Sequence, residues 1–169
     1  MENKITRYPS GVRLEIGEGE TGVAHITLKN NTSFKIMHQT YYPDFTVGDK
    51  KVLLMHGKDT NSDIWLTTDT IFELIREGFE VTAIDVPLID EQMGKSSQAE
   101  FIDRLLTTFN FKENVVVASA DTSCNYMFNF LQSKYHKNNY GRVTFWCMIS
   151  PDIEAEKRMD MHVSHRNYR

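Results

Sequence analysis

The residues best placed to do chemistry lie in one stretch, Val115-Val-Val-Ala-Ser-Ala-Asp-Thr-Ser-Cys-Asn-Tyr-Met127. Three consecutive valines lead into a cluster of small residues, after which helical spacing begins. A β-branched apolar run of this kind reads as a fully buried strand. In Ser119-Ala120-Asp121-Thr122-Ser123 a serine stands two places on either side of Asp121. That is the steric requirement of a sharp strand-to-helix turn that lifts one side chain into the open, the nucleophile elbow. The residue at the apex is an aspartate. A carboxylate there can attack a carbon centre, or it can simply cap the helix that follows. Ser119 and Ser123 are the two serines of the turn. Small size at the flanking positions accounts for both better than a role as substitute nucleophiles.

An apex residue needs strands to hold it, and the chain supplies them in order. Val23–Leu28 and Phe34–Tyr42 alternate in hydrophobicity around the turn Lys29–Ser33, which reads as a β-hairpin. Val52–Met55 is a short apolar strand ending in His56-Gly57. From Ile64 to Ile75 the apolar spacing is helical, with Gly78 at the C′ position. Glu80–Asp85 is the next strand, Leu88–Ser97 an irregular loop, and Ala99–Phe109 a helix. The strand Asn114–Ala118, a helix over Cys124–Tyr135 and a further buried strand over Arg142–Ile149 complete the pattern. Trp65, Phe145 and Trp146 are expected in the core or on a pocket wall. A hairpin followed by alternating strands and helices implies a mostly parallel sheet with helices on its faces. Chemistry in such sheets sits at the carboxyl ends of the strands. His56-Gly57, Asp85 and Asp121 all fall there. The expected division is an N-terminal arm over 1–22, a domain over 23–151 and a charged tail over 152–169.

Composition narrows the function. The 169 residues carry a net charge of −4, with apolar residues at 40% and charged residues at 25%. That is a globular character without a nucleic-acid-binding surface. The only cysteines, Cys124 and Cys147, lie within apolar runs, so a reducing, cytoplasmic setting is expected rather than a disulfide scaffold. No apolar stretch approaches a membrane span of ~20 residues. His162 and His165 are three apart in the charged tail, but no Glu or Cys completes a metal set at good spacing. No metal and no cofactor are expected.

Taken together, the ordered motifs resemble the α/β-hydrolase superfamily. They are His56-Gly57 with Asn61-Ser62-Asp63-Ile64-Trp65, then Ala83-Ile84-Asp85-Val86-Pro87, then Ser119-Ala120-Asp121-Thr122-Ser123. Within it the chain looks most like the small proteins called α/β-hydrolase-domain-containing protein 14, over roughly residues 23–151. The resemblance implies a three-layer α/β sandwich with a mostly parallel sheet of about six strands, ending after the sixth strand where relatives continue through two more. The family's central elbow serine is replaced here by Asp121.

The resemblance also implies roles. In Asp-type relatives the apex carboxylate attacks an sp³ carbon, and a histidine then activates the water that hydrolyses the ester. By that analogy Asp121 would be the nucleophile, Asp152 the triad acid and His162 or His165 the base. The backbone N–H groups of Thr122 and Lys58 would form the oxyanion hole. A polar, unpatterned tail is poorly suited to holding a base within hydrogen-bond reach. The expected function is therefore a hydrolase-family protein with an incomplete triad, weakly active or inactive. The alternatives are an active Asp-nucleophile hydrolase of a small ester, epoxide or alkyl halide, and a partner-binding protein or homodimer formed through the exposed edge strand. A small molecule is the expected substrate or ligand, with no nucleic-acid and no membrane partner.

Overall fold

The computed structural model describes residues 19–44, 50–87, 93–138 and 141–150. Six strands form one sheet: β1 (Glu20–Thr27), β2 (Ser33–Tyr41), β3 (Lys51–Met55), β4 (Glu80–Ile84), β5 (Val115–Ala120) and β6 (Val143–Ile149). Their order across the sheet is β1-β2-β4-β3-β5-β6. β1 and β2 form the antiparallel hairpin, and β2 joins β4 antiparallel. The β4–β3, β3–β5 and β5–β6 pairs are parallel, as the alternation of strands and helices requires. β1 starts at Glu20, so residues 20–22, assigned by sequence to the arm, belong to the sheet.

Two layers of helix cover the sheet. α3 (Lys95–Thr108) and α4 (Ser123–Gln132) pack on one face through Phe101, Ile102, Leu105, Met127 and Phe130 against Leu53, Val115 and Val117. α1 (Ile64–Thr67) and α2 (Thr70–Arg76) cover part of the other through Trp65 and Ile71 against Val52, Leu54 and Val81. A short α5 (Lys134–Asn138) follows α4. Every second residue of β5 is fully buried against α3 and α4, and the residues between are half-covered.

Several boundaries differ from the sequence reading for local reasons. The expected single helix from Ile64 is two, because Asp69 takes a left-handed conformation (φ 57°). Thr67 and Thr68 turn their hydroxyls back onto the Ile64 carbonyl. Such back-bonding competes with continuation of a helix. α2 then ends as expected at Gly78 (φ 82°): Gly78 N–H donates to Ile75 O and Phe79 N–H to Leu74 O, a Schellman motif. Asn110 (φ 55°) closes α3 in the same way. α3 also begins four residues early, at Lys95, because its first turn is polar and carries no apolar period.

The largest difference is β6. Its apolar run reads as a buried strand, yet most of it is exposed, and Phe145 is 62% accessible rather than part of the core. β6 pairs with β5 on one side and has no strand on the other among the described residues. Trp146 does pack against the α3/α4 core, and Trp65 is buried.

Candidate functional site

The parallel strands end in line. Met55 is level with Ile84 on β4 and Ser119 on β5, and Ala120 is level with Ile149 on β6. The residues that follow these strands therefore converge on one rim. Asp121 leaves β5 with φ 52°, and α4 starts two residues later at Ser123. A left-handed conformation costs a non-glycine residue about 1–2 kcal/mol, and aspartate is among the residues that tolerate it best. Asp121 N–H donates to Ile149 O at 2.9 Å, and Asp121 O accepts from Cys124 N–H at 3.1 Å. The apex is thus fixed by backbone to β6 on one side and to the first turn of α4 on the other.

The apex carboxylate is not spent on capping α4. Thr122 is the residue at the N-cap, without a side-chain cap bond. Asp121 Oδ2 instead accepts the Lys58 N–H at 2.8 Å, across 63 positions of sequence. Gly57 makes that approach possible. A Cβ there would lie 2.8 Å from Asp121 Cβ and 3.4 Å from its Oδ2.

Both serines of the turn are buried and committed. Ser119 Oγ accepts Trp146 Nε1–H at 2.8 Å and donates to Cys124 Sγ at 3.4 Å. Ser123 Oγ accepts Ala120 N–H at 3.0 Å and lies 2.7 Å from Ala120 O and 3.2 Å from Met55 O. Neither hydroxyl is presented at the rim. Cys124 is buried beneath the turn, and burial pushes its thiol pKa up against the weaker downward pull of the Ser119 hydrogen bond.

His56 Nε2 accepts Val86 N–H at 2.9 Å while Nδ1 meets Gly57 O at 2.6 Å, an acceptor. These partners fix the neutral tautomer with the proton on Nδ1. His56 is a structural ligand of backbone, with both nitrogens occupied. Asp85 Oδ1 accepts Ser62 N–H at 2.8 Å and orders the loop before α1. His25 lies on β1, His38 lies on β2 edge-on to Phe109, and His136 lies on α5 against Phe130. Burial lowers the pKa of both His38 and His136. Of the residues proposed from sequence, Asp121, Thr122 and Lys58 come together. Asp152, His162 and His165 lie outside the described residues. Among the described residues no cluster of three His, Cys, Asp or Glu side chains could hold a metal ion.

The fold recurs in solved structures. A "predicted CIB-like hydrolase" from Thermoplasma acidophilum superposes with a TM-score of 0.64 at 16% identity, covering 85% of this chain and 69% of that one. A "probable hydrolytic enzyme" from Pseudomonas aeruginosa PAO1 gives 0.63 at 17% identity, over 89% and 46%. The chain has the α/β-hydrolase fold. As an α/β-hydrolase-fold protein it also resembles Protein ABHD14A of Homo sapiens, at 24% identity over 137 residues, 70% of this chain and 50% of that protein. It therefore spans half the length of that relative. No family model matches the chain. Among the described residues of this α/β-hydrolase-fold protein, no helix is long and apolar enough to cross a membrane.

What sequence reasoning missed was the tie between Lys58 N–H and Asp121 and the use of the Ser123 hydroxyl. The first had one visible signal, the glycine of His56-Gly57 immediately before Lys58.

Proposed function

We propose that this chain is an α/β-hydrolase-family protein with an incomplete catalytic set, weakly active or inactive as a hydrolase. One observation carries the reading. The apex carboxylate is held, Oδ2 on Lys58 N–H, while among the described residues His56, beside Gly57 at the end of β3, spends both ring nitrogens on backbone. A carboxylate so held, with one oxygen on a backbone donor, resembles the arrangement an alkyl-transfer step uses. Hydrolysis of the resulting ester would still need a base to activate water. Against acyl substrates a carboxylate apex would give a reactive anhydride, so ester turnover is the reaction least suited to it. The setting we propose is cytoplasmic, which the two unpaired cysteines support. Styrene oxide hydrolysis by the wild type and by Asp121→Asn tests the reading. Equal background rates are expected, and a rate lost in Asp121→Asn would establish the alternative, an active Asp-nucleophile hydrolase.

A second reading concerns assembly, and β6 is the observation that favours it. We propose that the strand pairs with β6 of a second copy. Phe145, Met148 and Ile149 are exposed along it. Residues 143–149 carry no charge, so antiparallel self-pairing sets no like charges opposite one another. Arg142, at its start, is turned toward Asp103 at 3.4 Å. Unpaired edge strands are templates for such pairing. Light scattering at two protein concentrations should show a dimer that Phe145→Lys abolishes. A monomer at both concentrations would remove this reading.

A further inference from the structure

The two serines of the turn are not equivalent, and small size alone does not account for Ser123. Its side chain is 1% exposed, at the first position of α4. Its hydroxyl oxygen lies between the two strand ends that frame the apex. On the β5 side it accepts the Ala120 N–H at 3.0 Å, one residue before Asp121. On the β3 side it lies 3.2 Å from the carbonyl of Met55, the last residue of that strand. Its single proton faces that carbonyl and the Ala120 carbonyl at 2.7 Å. Met55 is three residues before Lys58, whose N–H holds Asp121 Oδ2. One buried hydroxyl therefore joins the root of the Gly57-Lys58 loop to the residue that carries the apex.

The tolerance at this point is small. The Gly57 backbone already approaches Asp121 so closely that a Cβ would meet Asp121 Cβ at 2.8 Å. A shift of β3 against β5 of a few tenths of an ångström would change both that approach and the 2.8 Å Lys58–Asp121 bond. The ladder between β3 and β5 ends at Met55 and Ser119, so beyond it the pairing of the two strands no longer sets their separation. The Ser123 hydroxyl acts in that gap. Ser119, by contrast, faces the opposite neighbour, taking the Trp146 Nε1–H from β6. We infer that Ser123 is a positioning residue for Asp121: its hydroxyl locks the end of β3 to the end of β5 and thereby sets the Lys58 N–H on the Asp121 carboxylate.

The inference rests on Asp121 being the apex of the site, as proposed above, but does not require it to turn anything over. Amide hydrogen exchange read residue by residue therefore tests it independently of activity. Asp121→Ala, which deletes the acceptor, calibrates the signal by showing how fast Lys58 N–H exchanges when released. Ser123→Ala should accelerate Lys58 exchange at least tenfold, toward that value, while Leu54 within β3 changes only with global stability. Cys124→Ala, at the neighbouring and equally buried position, should lower stability and leave Lys58 in step with Leu54. Should Ser123→Ala fail to fold, Ser123→Cys, close in volume and with a weaker hydrogen-bonding group, is expected to give the same selective acceleration in smaller degree. Lys58 exchange that follows Leu54 in both Ser123 variants would reduce Ser123 to a packing residue and overturn the inference.

Discussion

Phe101→Ala is expected to lower unfolding stability by about 3–5 kcal/mol, the cost of deleting a fully buried aromatic side chain. Phe101 is 0% exposed on α3, where its ring meets Phe34 of β2 edge-on at 5.6 Å and Tyr126 of α4 at 5.8 Å. It therefore joins three elements at once. The hairpin, α3 and α4 all lose a partner when it is removed. Aromatic pairs of this geometry add about 0.5–1.5 kcal/mol beyond area burial. A domain of this size has roughly 5–15 kcal/mol in total, so the variant should sit near the edge of folding. Urea unfolding followed by circular dichroism measures the change. Val23→Ala, at a position 49% exposed on β1, should stay within about 0.5 kcal/mol of wild type.

Gly57→Ala should disturb the site itself. The added methyl would lie 2.8 Å from Asp121 Cβ, and that atom belongs to a left-handed residue fixed by backbone bonds to Ile149 and Cys124. It is not the free end of a flexible side chain, so relief must come from backbone movement. Overpacking of this kind costs about 1–3 kcal/mol. The loop after β3 is the part with freedom to move, and moving it draws Lys58 N–H from Asp121 Oδ2. A lowered urea midpoint together with loss of Lys58 amide protection is the expected result. An unchanged midpoint would mean that the close approach is not fixed as the structure has it.

The residues around these two sites show which parts of the fold a sequence can carry. β5 was legible because three β-branched valines leave little but a buried strand, and the turn after it because small residues must flank a tight apex. Gly78 announced the end of α2 for the same kind of local reason. The partner of Asp121 was not legible. It comes from the far side of the β3–β5 pair, 63 positions away, and nothing in Asp121-Thr122-Ser123 distinguishes a capping carboxylate from one turned to another loop. Ser123 read as merely small because its use depends on where β3 ends, which only the register of the sheet fixes. β6 misled in the opposite sense. Apolar sequence shows that a strand is able to be buried, and the burial itself depends on what lies across from it.

Asp121 is also the point at which fold and function part. The left-handed apex, the close glycine and the backbone donor are held by strands and hydrogen bonds that would persist whether or not the carboxylate reacts. A turn of this shape is evidence for the fold and only the frame of an active site. Turnover needs a base as well, and His56 is tied to Val86 N–H and Gly57 O.

Counting product per chain is the most direct measurement of that distinction. With 1-bromobutane in large excess, bromide release would be followed for wild type and Asp121→Asn over many hours. Attack by the carboxylate without hydrolysis of the ester stops at about one equivalent per chain. Release that stays at or below that level in wild type is the expected result. Many equivalents from the wild type and none from Asp121→Asn would contradict it and make this chain a working Asp-nucleophile hydrolase.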